Sequence, residues 1–491
     1  MAPIPFDNSQ VMQGLASVAP ESILVLTALA VLMADLFFSE DNKAALCWMS
    51  IAGVLVSIAT VASIGTTLIV GFSGMVTSDG FGMFFSLVVL SACALVLLMG
   101  TGWSERAGTQ KGEFYALILM STAGMLLMAK GTDLITIFLG LETLSIPIYV
   151  LVGFQRNRWT AVEGSLKYFL LGAFGAAFML YGMALIYAST GTTKIPALAS
   201  LAAGGGMAGT PMFVGGLGLL LVGFAFKVSL APFHMWTPDA YEGAPTLVTA
   251  FMSAAVKAAG FAALIRVGLL LFPGAPAAIG PVLWILAVLT MTVGNLTALR
   301  QDNVKRILAY SSIAHAGYIL VGLVAGDVLG GQASLFYLLT YSFMNIGAFG
   351  VLMLIAQKED EGYDIGALRG IGFKYPVLGA LLTLFLISLA GIPPTGGFVG
   401  KFYLFSAAVK NGYIWLAVIG VLNSAVSVYY YLRIVVYMYF MPEEGEVVVP
   451  HTPPMSYALA LCACAAAVLV LGLLPGSVLA LAEQSVLSLL M

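Results

Sequence analysis

Residues 222–260 read VGFAFKVSLAPFHMWTPDAYEGAPTLVTAFMSAAVKAAG. Lys227 and Lys257 stand inside two long apolar segments, and a polar elbow broken by Pro232 lies between them. Proline removes a backbone donor and breaks the helical ladder, so carbonyls near Lys227 need other partners, water among them. A lysine near a bilayer midplane costs roughly 2.5–3.5 kcal/mol even on lenient insertion scales. Two such residues flanking a broken helix point to an ion path inside a membrane.

Composition sets the class. The 491 residues are 60% hydrophobic and 9% charged, against about 25% charged in a soluble domain. This is the balance of a polytopic membrane protein. A net charge of −3 is too small and too dispersed to argue for a nucleic-acid partner, and none is expected. Cys47, Cys93, Cys462 and Cys464 all lie in apolar runs without metal or iron–sulfur spacing and read as packing residues. Residues 1–20 lack a basic start followed by an apolar core, so no cleavable signal is expected.

Apolar runs of about 20 residues mark the expected spans. They fall at 21–38, 46–70, 81–101, 113–129, 133–153, 165–189, 212–233, 245–271, 277–298, 304–325, 333–356, 376–410, 413–440 and 455–475. The expected fold is thus all-α and polytopic, with about 14 transmembrane helices. The seventh is broken at Pro232 and the twelfth by GIPPTGG at 391–397. Spans 4–8 and 9–13 form two sets of five, each with a broken fourth member bearing a lysine. An odd number per set inserts the second upside down, giving inverted repeats of the kind ion transporters use. The expected organisation is a three-helix segment over 1–110, repeats over 111–272 and 273–441, and a final helix with its tail over 442–491.

Basic residues orient the chain. Lys43, Arg106, Lys111, Arg156, Arg158, Lys167, Arg300, Lys305, Arg306, Lys358, Arg369 and Lys374 fall in odd-numbered loops. Only Lys130, Lys194 and Lys410 fall in even ones. The odd loops are therefore expected in the cytoplasm, with both termini on the periplasmic side of a bacterial inner membrane. Arg266 and Arg433 lie near helix ends and are expected to snorkel. The run Arg300, Asp302, Lys305, Arg306 reads as a positive-inside anchor.

Lys227, Lys257 and Lys401 remain inside spans, and Glu142 lies mid-span in FLGLETLSIPIYVLVGF. Burial disfavours a charged ammonium and a nearby carboxylate favours it. A lysine in that balance can load and release a proton when its partner moves. Glu142 is the expected partner of Lys227, and Lys257 is the expected relay towards Lys401. His315, mid-span, and His234, in the elbow, can pass protons through either ring nitrogen. The bland alternatives are a static ion pair for Glu142 and Lys227 and hydrogen-bonded core residues for the histidines. GGG at 204–206 precedes no strand and no Lys-Ser/Thr, so it is no phosphate loop. No nucleotide, metalloprotease or Ser-His-Asp signature accompanies it, and no redox chemistry is expected of this chain alone.

Three long segments carry a family resemblance: FKVSLAPFHMWTPDAYEGAPTLVTAFMSAAVKAAGFA, LRQDNVKRILAYSSIAHAGYILVGL and LISLAGIPPTGGFVGKFYLF. They resemble the antiporter-like membrane subunits of respiratory complex I, called L, M and N, along nearly the whole chain. Lysine in GGFVGKFYLF, the segment EGSLKYFLLGAF and the absence of a long lateral helix resemble the N type. The resemblance implies proton translocation coupled to NADH oxidation by quinone, with roles for Glu142, Lys227, Lys257 and Lys401 and an axial place for His315. It implies no cofactor in this chain: NADH, flavin, iron–sulfur clusters and quinone belong to partner subunits. The implied partners are subunit M, the small membrane subunits and, indirectly, the peripheral arm. A multi-subunit cation/proton antiporter subunit, which shares these motifs, and a non-conducting scaffold are the alternatives.

Overall fold

A computed structural model describes residues 8–39, 42–204, 210–356, 363–442 and 452–490. Lys358 and residues 205–206 of the glycine string lie outside the described residues. The chain is helical almost throughout. Helices α1 (Asn8–Ser17), α2 (Ala19–Asp35) and α3 (Ala44–Ile64) lead into a hairpin of β1 (Ile69–Gly71) and β2 (Val76–Ser78). Its antiparallel register sets Val70 opposite Thr77. The second expected span, 46–70, was to run to residue 70; Gly65, at φ 58°, ends its helix sooner and frees the chain for the hairpin.

The middle follows as α4 (Gly80–Gly100), α5 (Trp103–Arg106), α6 (Gly112–Lys130), α7 (Leu134–Val152), α8 (Trp159–Thr190), α9 (Ile195–Ala203) and α10 (Pro211–Lys227). After the elbow come α11 (Thr237–Gly243), α12 (Thr246–Phe251), a π-helical turn over Met252–Val256 and α13 (Lys257–Leu271). Then α14 (Pro276–Ala298), α15 (Val304–Ala325), α16 (Val328–Ile355), α17 (Ile371–Lys374), α18 (Pro376–Ala390) and α19 (Gly396–Lys410). The chain closes with α20 (Ile414–Phe440), α21 (Met455–Leu473) and α22 (Gly476–Leu490).

Among the described residues, eleven helices are long and apolar enough to cross a membrane, or twelve if the bent α1–α2 pair is one span. The expected count was fourteen. The shortfall sits at the two breaks. Helix α10 stops at Lys227 after 17 residues, and α18 and α19 have 15 each. At 1.5 Å per residue each half reaches about 22–26 Å, short of a hydrocarbon core of about 30 Å. Helices α13, α15 and α16 are almost wholly buried, whereas α8, α14, α20 and α21 turn most of their surface outwards. The centre of the bundle is therefore where Lys257 and His315 lie.

Close packing sets α7, the helix of Glu142, against α6. A Cβ on Gly124 would meet Leu144 N at 2.5 Å, and one on Gly140 would meet Met128 N at 2.7 Å. Small residues at a membrane helix crossing let backbones approach and gain dispersion contacts. Gly140→Ala is expected to destabilise the chain by about 1–3 kcal/mol through overpacking. The thermal midpoint of the purified chain checks this.

Several charges lie deeper than the sequence suggests. Arg266 does not snorkel: it is 1% exposed, and it donates to both Asp79 oxygens at 2.8 and 2.9 Å and to Ala129 O at 3.1 Å. Lys130, expected in a loop, is buried against Glu21 at 2.6 Å and Ser17 O at 2.7 Å. Lys305 is buried on Ala244 O at 2.9 Å. Only Arg433 keeps an end-of-helix place, bonded to Asp302 and to Gln301 O. Cys462 is exposed, unlike the other three cysteines.

Candidate functional site

Lys227 is the last residue of α10, and the chain behind it supplies the partners its break requires. Leu230 N donates to Ala225 O at 2.8 Å, and Ser229 N and Trp236 Nε1 donate to Phe226 O at 3.2 and 3.1 Å. Protein groups thus satisfy the carbonyls of Ala225 and Phe226. Ser229 takes φ +65° to turn the chain, and its hydroxyl accepts from Thr237 at 2.8 Å. The Ala231–Pro232 peptide is cis.

The Lys227 ammonium is 3% exposed. It donates to Ser145 Oγ at 2.7 Å and Tyr168 OH at 3.4 Å, and lies 5.7 Å from the Tyr168 ring centre. The Tyr168 ring stacks on Trp236 at 3.9 Å, tying the lysine's surroundings to the elbow. Glu142 and Ser145 are one helical turn apart on α7, so they share a face. Glu142 is half-buried, its Oε1 without a hydrogen-bond partner among the described residues. Lys227 therefore meets the serine directly and the expected carboxylate only through the field between them.

Lys257 opens α13 after the π-helical turn, a local irregularity frequent at functional sites. It is 2% exposed. Its ammonium donates to Ser312 O at 2.6 Å and to the Ser312 hydroxyl, and lies 5.7 Å from the Tyr341 ring centre. The Lys227 stem passes Gly260, one turn along from Lys257: a Cβ there would meet Lys227 Cγ at 3.5 Å. The two lysines thus occupy one neighbourhood.

Three residues after Ser312, His315 is fully buried on α15. Its Nδ1 lies 2.5 Å from Tyr337 OH and its Nε2 3.0 Å from Tyr431 OH. Lys401, on α19, reaches back across the second break. It donates to Leu389 O and Ala390 O at 3.0 Å each and to Ser424 Oγ at 2.9 Å. Those carbonyls end α18, where the helix dipole is negative and favours a cation. Tyr318 stands between the two, its ring 5.6 Å from the His315 ring and 4.8 Å from Lys401 Nζ. His234 sits apart in the elbow, half-buried.

The structure thus brings Lys227, Lys257, His315 and Lys401 into one central row, with Glu142 at its edge and His234 outside it. Sequence reasoning missed the oxygens that hold the row: Ser145, Tyr168, Ser312, Tyr337, Tyr431 and Ser424. The signals were Ser145 one turn after Glu142, and Ser311 and Ser312 one turn before His315.

Beyond the elbow, Asp239 of α11 receives Lys167 of α8 at 2.7 Å and Arg306 of α15 at 3.0 Å, and Arg306 also meets Glu242 at 2.5 Å. Burial works to raise the Asp239 carboxyl, but the Lys167 and Arg306 charges hold it below the ordinary carboxylate range. Arg306 of the expected basic anchor thus ties the elbow to the His315 helix.

Among the described residues the molecule is a helical membrane bundle with eleven or twelve helices long enough to span, and Lys227, Lys257 and Lys401 lie buried in it. The family described as NADH:quinone oxidoreductase/Mrp antiporter, TM, matches residues 131–427, and the chain belongs to it. It is 52% identical over 471 residues to NADH-quinone oxidoreductase subunit N of Trichlorobacter lovleyi, covering 96% of each chain. Among solved structures it resembles a chain of respiratory complex I from Thermus thermophilus with bound aureothin. That match has a TM-score of 0.81 and 38% identity, over 94% of this chain and 99% of that one. A chain of the Mrp complex from Dietzia sp. has the same fold, with a TM-score of 0.84 and 22% identity over 97% of each.

Proposed function

We propose that the chain is the antiporter-like subunit N of a proton-translocating NADH:quinone oxidoreductase. In this reading it passes protons through Glu142, Lys227, Lys257, His315 and Lys401, with His234 at the elbow. One observation carries the reading. Among the described residues, none of the three central lysines has a carboxylate within ion-pair distance; hydroxyls, carbonyls and aromatic faces hold them instead. A static core gains nothing from three uncompensated cations. A path that must load and release protons needs them.

Each broken helix serves as one span in this reading, which restores fourteen. The halves 111–272 and 273–441 act as inverted repeats about the Lys227 and Lys401 breaks. Both termini face the periplasm of a bacterial inner membrane. NADH, flavin, iron–sulfur clusters and quinone lie in partner subunits, and subunit M and the small membrane subunits are the neighbours. Changes arriving from those neighbours shift the field of Glu142 on Lys227, and the proton moves by Lys257 and His315 towards Lys401. The rival reading, a cation/proton antiporter subunit, predicts activity without NADH; co-purification with peripheral iron–sulfur subunits separates the two.

Glu142→Gln tests the charge of the carboxylate at nearly constant shape. Normal assembly with pumping reduced roughly tenfold is the expected result, a change of about 1.4 kcal/mol. Proton pumping and NADH:quinone activity per assembled complex in native membranes measure it. Normal assembly with normal pumping would reduce Glu142 to a packing residue.

A further inference from the structure

His315 is bracketed. Tyr337 of α16 meets one ring nitrogen and Tyr431 of α20 the other, and the Tyr431 hydroxyl is also bonded to Ser311. Ser311 adjoins Ser312, which holds Lys257. On the far side the Tyr337 ring packs directly on Gly400, the residue before Lys401, where a Cβ would collide with it. The ends of this bracket therefore fall at Lys257 and at the Lys401 helix. Tyr341 beside it is fully buried, its hydroxyl without a hydrogen-bond partner among the described residues, and its ring lies 5.1 Å from His315.

Counting hydrogens gives the bracket a direction. A neutral imidazole has one N–H and one lone pair, so one tyrosine donates to it and the other accepts. In one arrangement Tyr337 donates to Nδ1, Nε2–H donates to Tyr431, and Tyr431 donates to Ser311. In the other, Ser311 donates to Tyr431, Tyr431 to Nε2, and Nδ1–H to Tyr337. The two differ by reversal of every bond.

We propose that Tyr431 and Tyr337 are relay residues that carry the proton between Lys257 and Lys401 through His315, with Ser311 as the handover. The inference rests on the proton-path reading above. A proton arriving on the Tyr431 oxygen from the Ser311 side releases that hydroxyl's own proton to Nε2. The Nδ1 proton then passes to the Tyr337 oxygen, which gives up its own to a neutral Lys401 amine on α19, forming the N–H bond that closes the sequence. One O–H or N–H bond forms for each that breaks, and no charge remains behind.

Tyr337→Phe and Tyr431→Phe remove the hydroxyls and keep the rings. In membranes matched for assembled complex, each is expected to lower pumping about tenfold, below the roughly hundredfold of positioned proton transfer because water substitutes in part. The solvent deuterium effect on turnover should rise, and the double variant should be no worse than the slower single one, since the two act in series. Wild-type pumping in both single variants, with Lys257→Ala inactive, overturns the relay and leaves the proton path standing. Wild-type pumping in Lys257→Ala as well overturns both. Should loss of a hydroxyl prevent assembly, 3-fluorotyrosine at position 431 keeps it but makes it more acidic. A shifted pH profile of pumping then supports the relay, and an unshifted one overturns it.

Discussion

Replacing Lys227 with alanine is expected to abolish proton pumping and to slow coupled quinone reduction at least about tenfold, or 1.4 kcal/mol on the barrier, with the complex still assembled. The side chain ends α10 at the break, and among the described residues its ammonium hydrogen-bonds Ser145 and Tyr168. Its removal deletes the group that loads the proton and breaks no direct ion pair. Lys227→Arg separates charge from chemistry. Arginine keeps the positive charge but cannot be deprotonated in a protein. If the position only needed charge to balance Glu142, arginine would restore activity. If it must release a proton, arginine is as inactive as alanine. Proton uptake per NADH oxidised, in membranes matched for assembled complex, decides between them, and recovery by arginine would end the proton-loading role.

The central row was legible in the sequence because its cost is legible. A lysine far from both ends of an apolar run stands out, and Lys227, Lys257 and Lys401 all proved buried where that reasoning put them. The breaks at Pro232 and 391–397 were visible because proline and glycine forbid a continuous ladder. What holds the lysines was hidden. Ser145, Ser312 and Tyr431 are ordinary helical residues in sequence, and only the crossings of α7 with α10 and of α15 with α13 and α20 make them partners. The charges misread were those with distant partners. Arg266 pairs with Asp79, 187 positions away, and Lys130 with Glu21, 109 away. Span-by-span reading assigns a charge near a helix end to water. Only the tertiary fold reveals a carboxylate waiting there.

Those paired charges lead to the second large effect, which is on stability. Arg266 lies nine residues beyond Lys257 on α13, about 13 Å along the helix, and grips both oxygens of Asp79, the residue that caps α4 through Gly82 N. Arg266→Ala leaves the Asp79 carboxylate buried without its cation, a loss of about 3–5 kcal/mol. The amount of chain in membranes and its thermal midpoint should both fall sharply. Asp79→Asn with Arg266→Met removes both charges while the asparagine still caps α4, and most of the stability should return, because a neutral buried pair carries no unmet desolvation. The same double variant separates compensated from uncompensated charge. A pair that neutralises itself fixes the fold, whereas a cation held only by hydroxyls and carbonyls can give up its proton without leaving an anion behind. Once assembly is matched, the Asp79→Asn/Arg266→Met complex should pump as the unaltered one does. Loss of pumping in a stable complex would place Arg266 on the proton path and break that division.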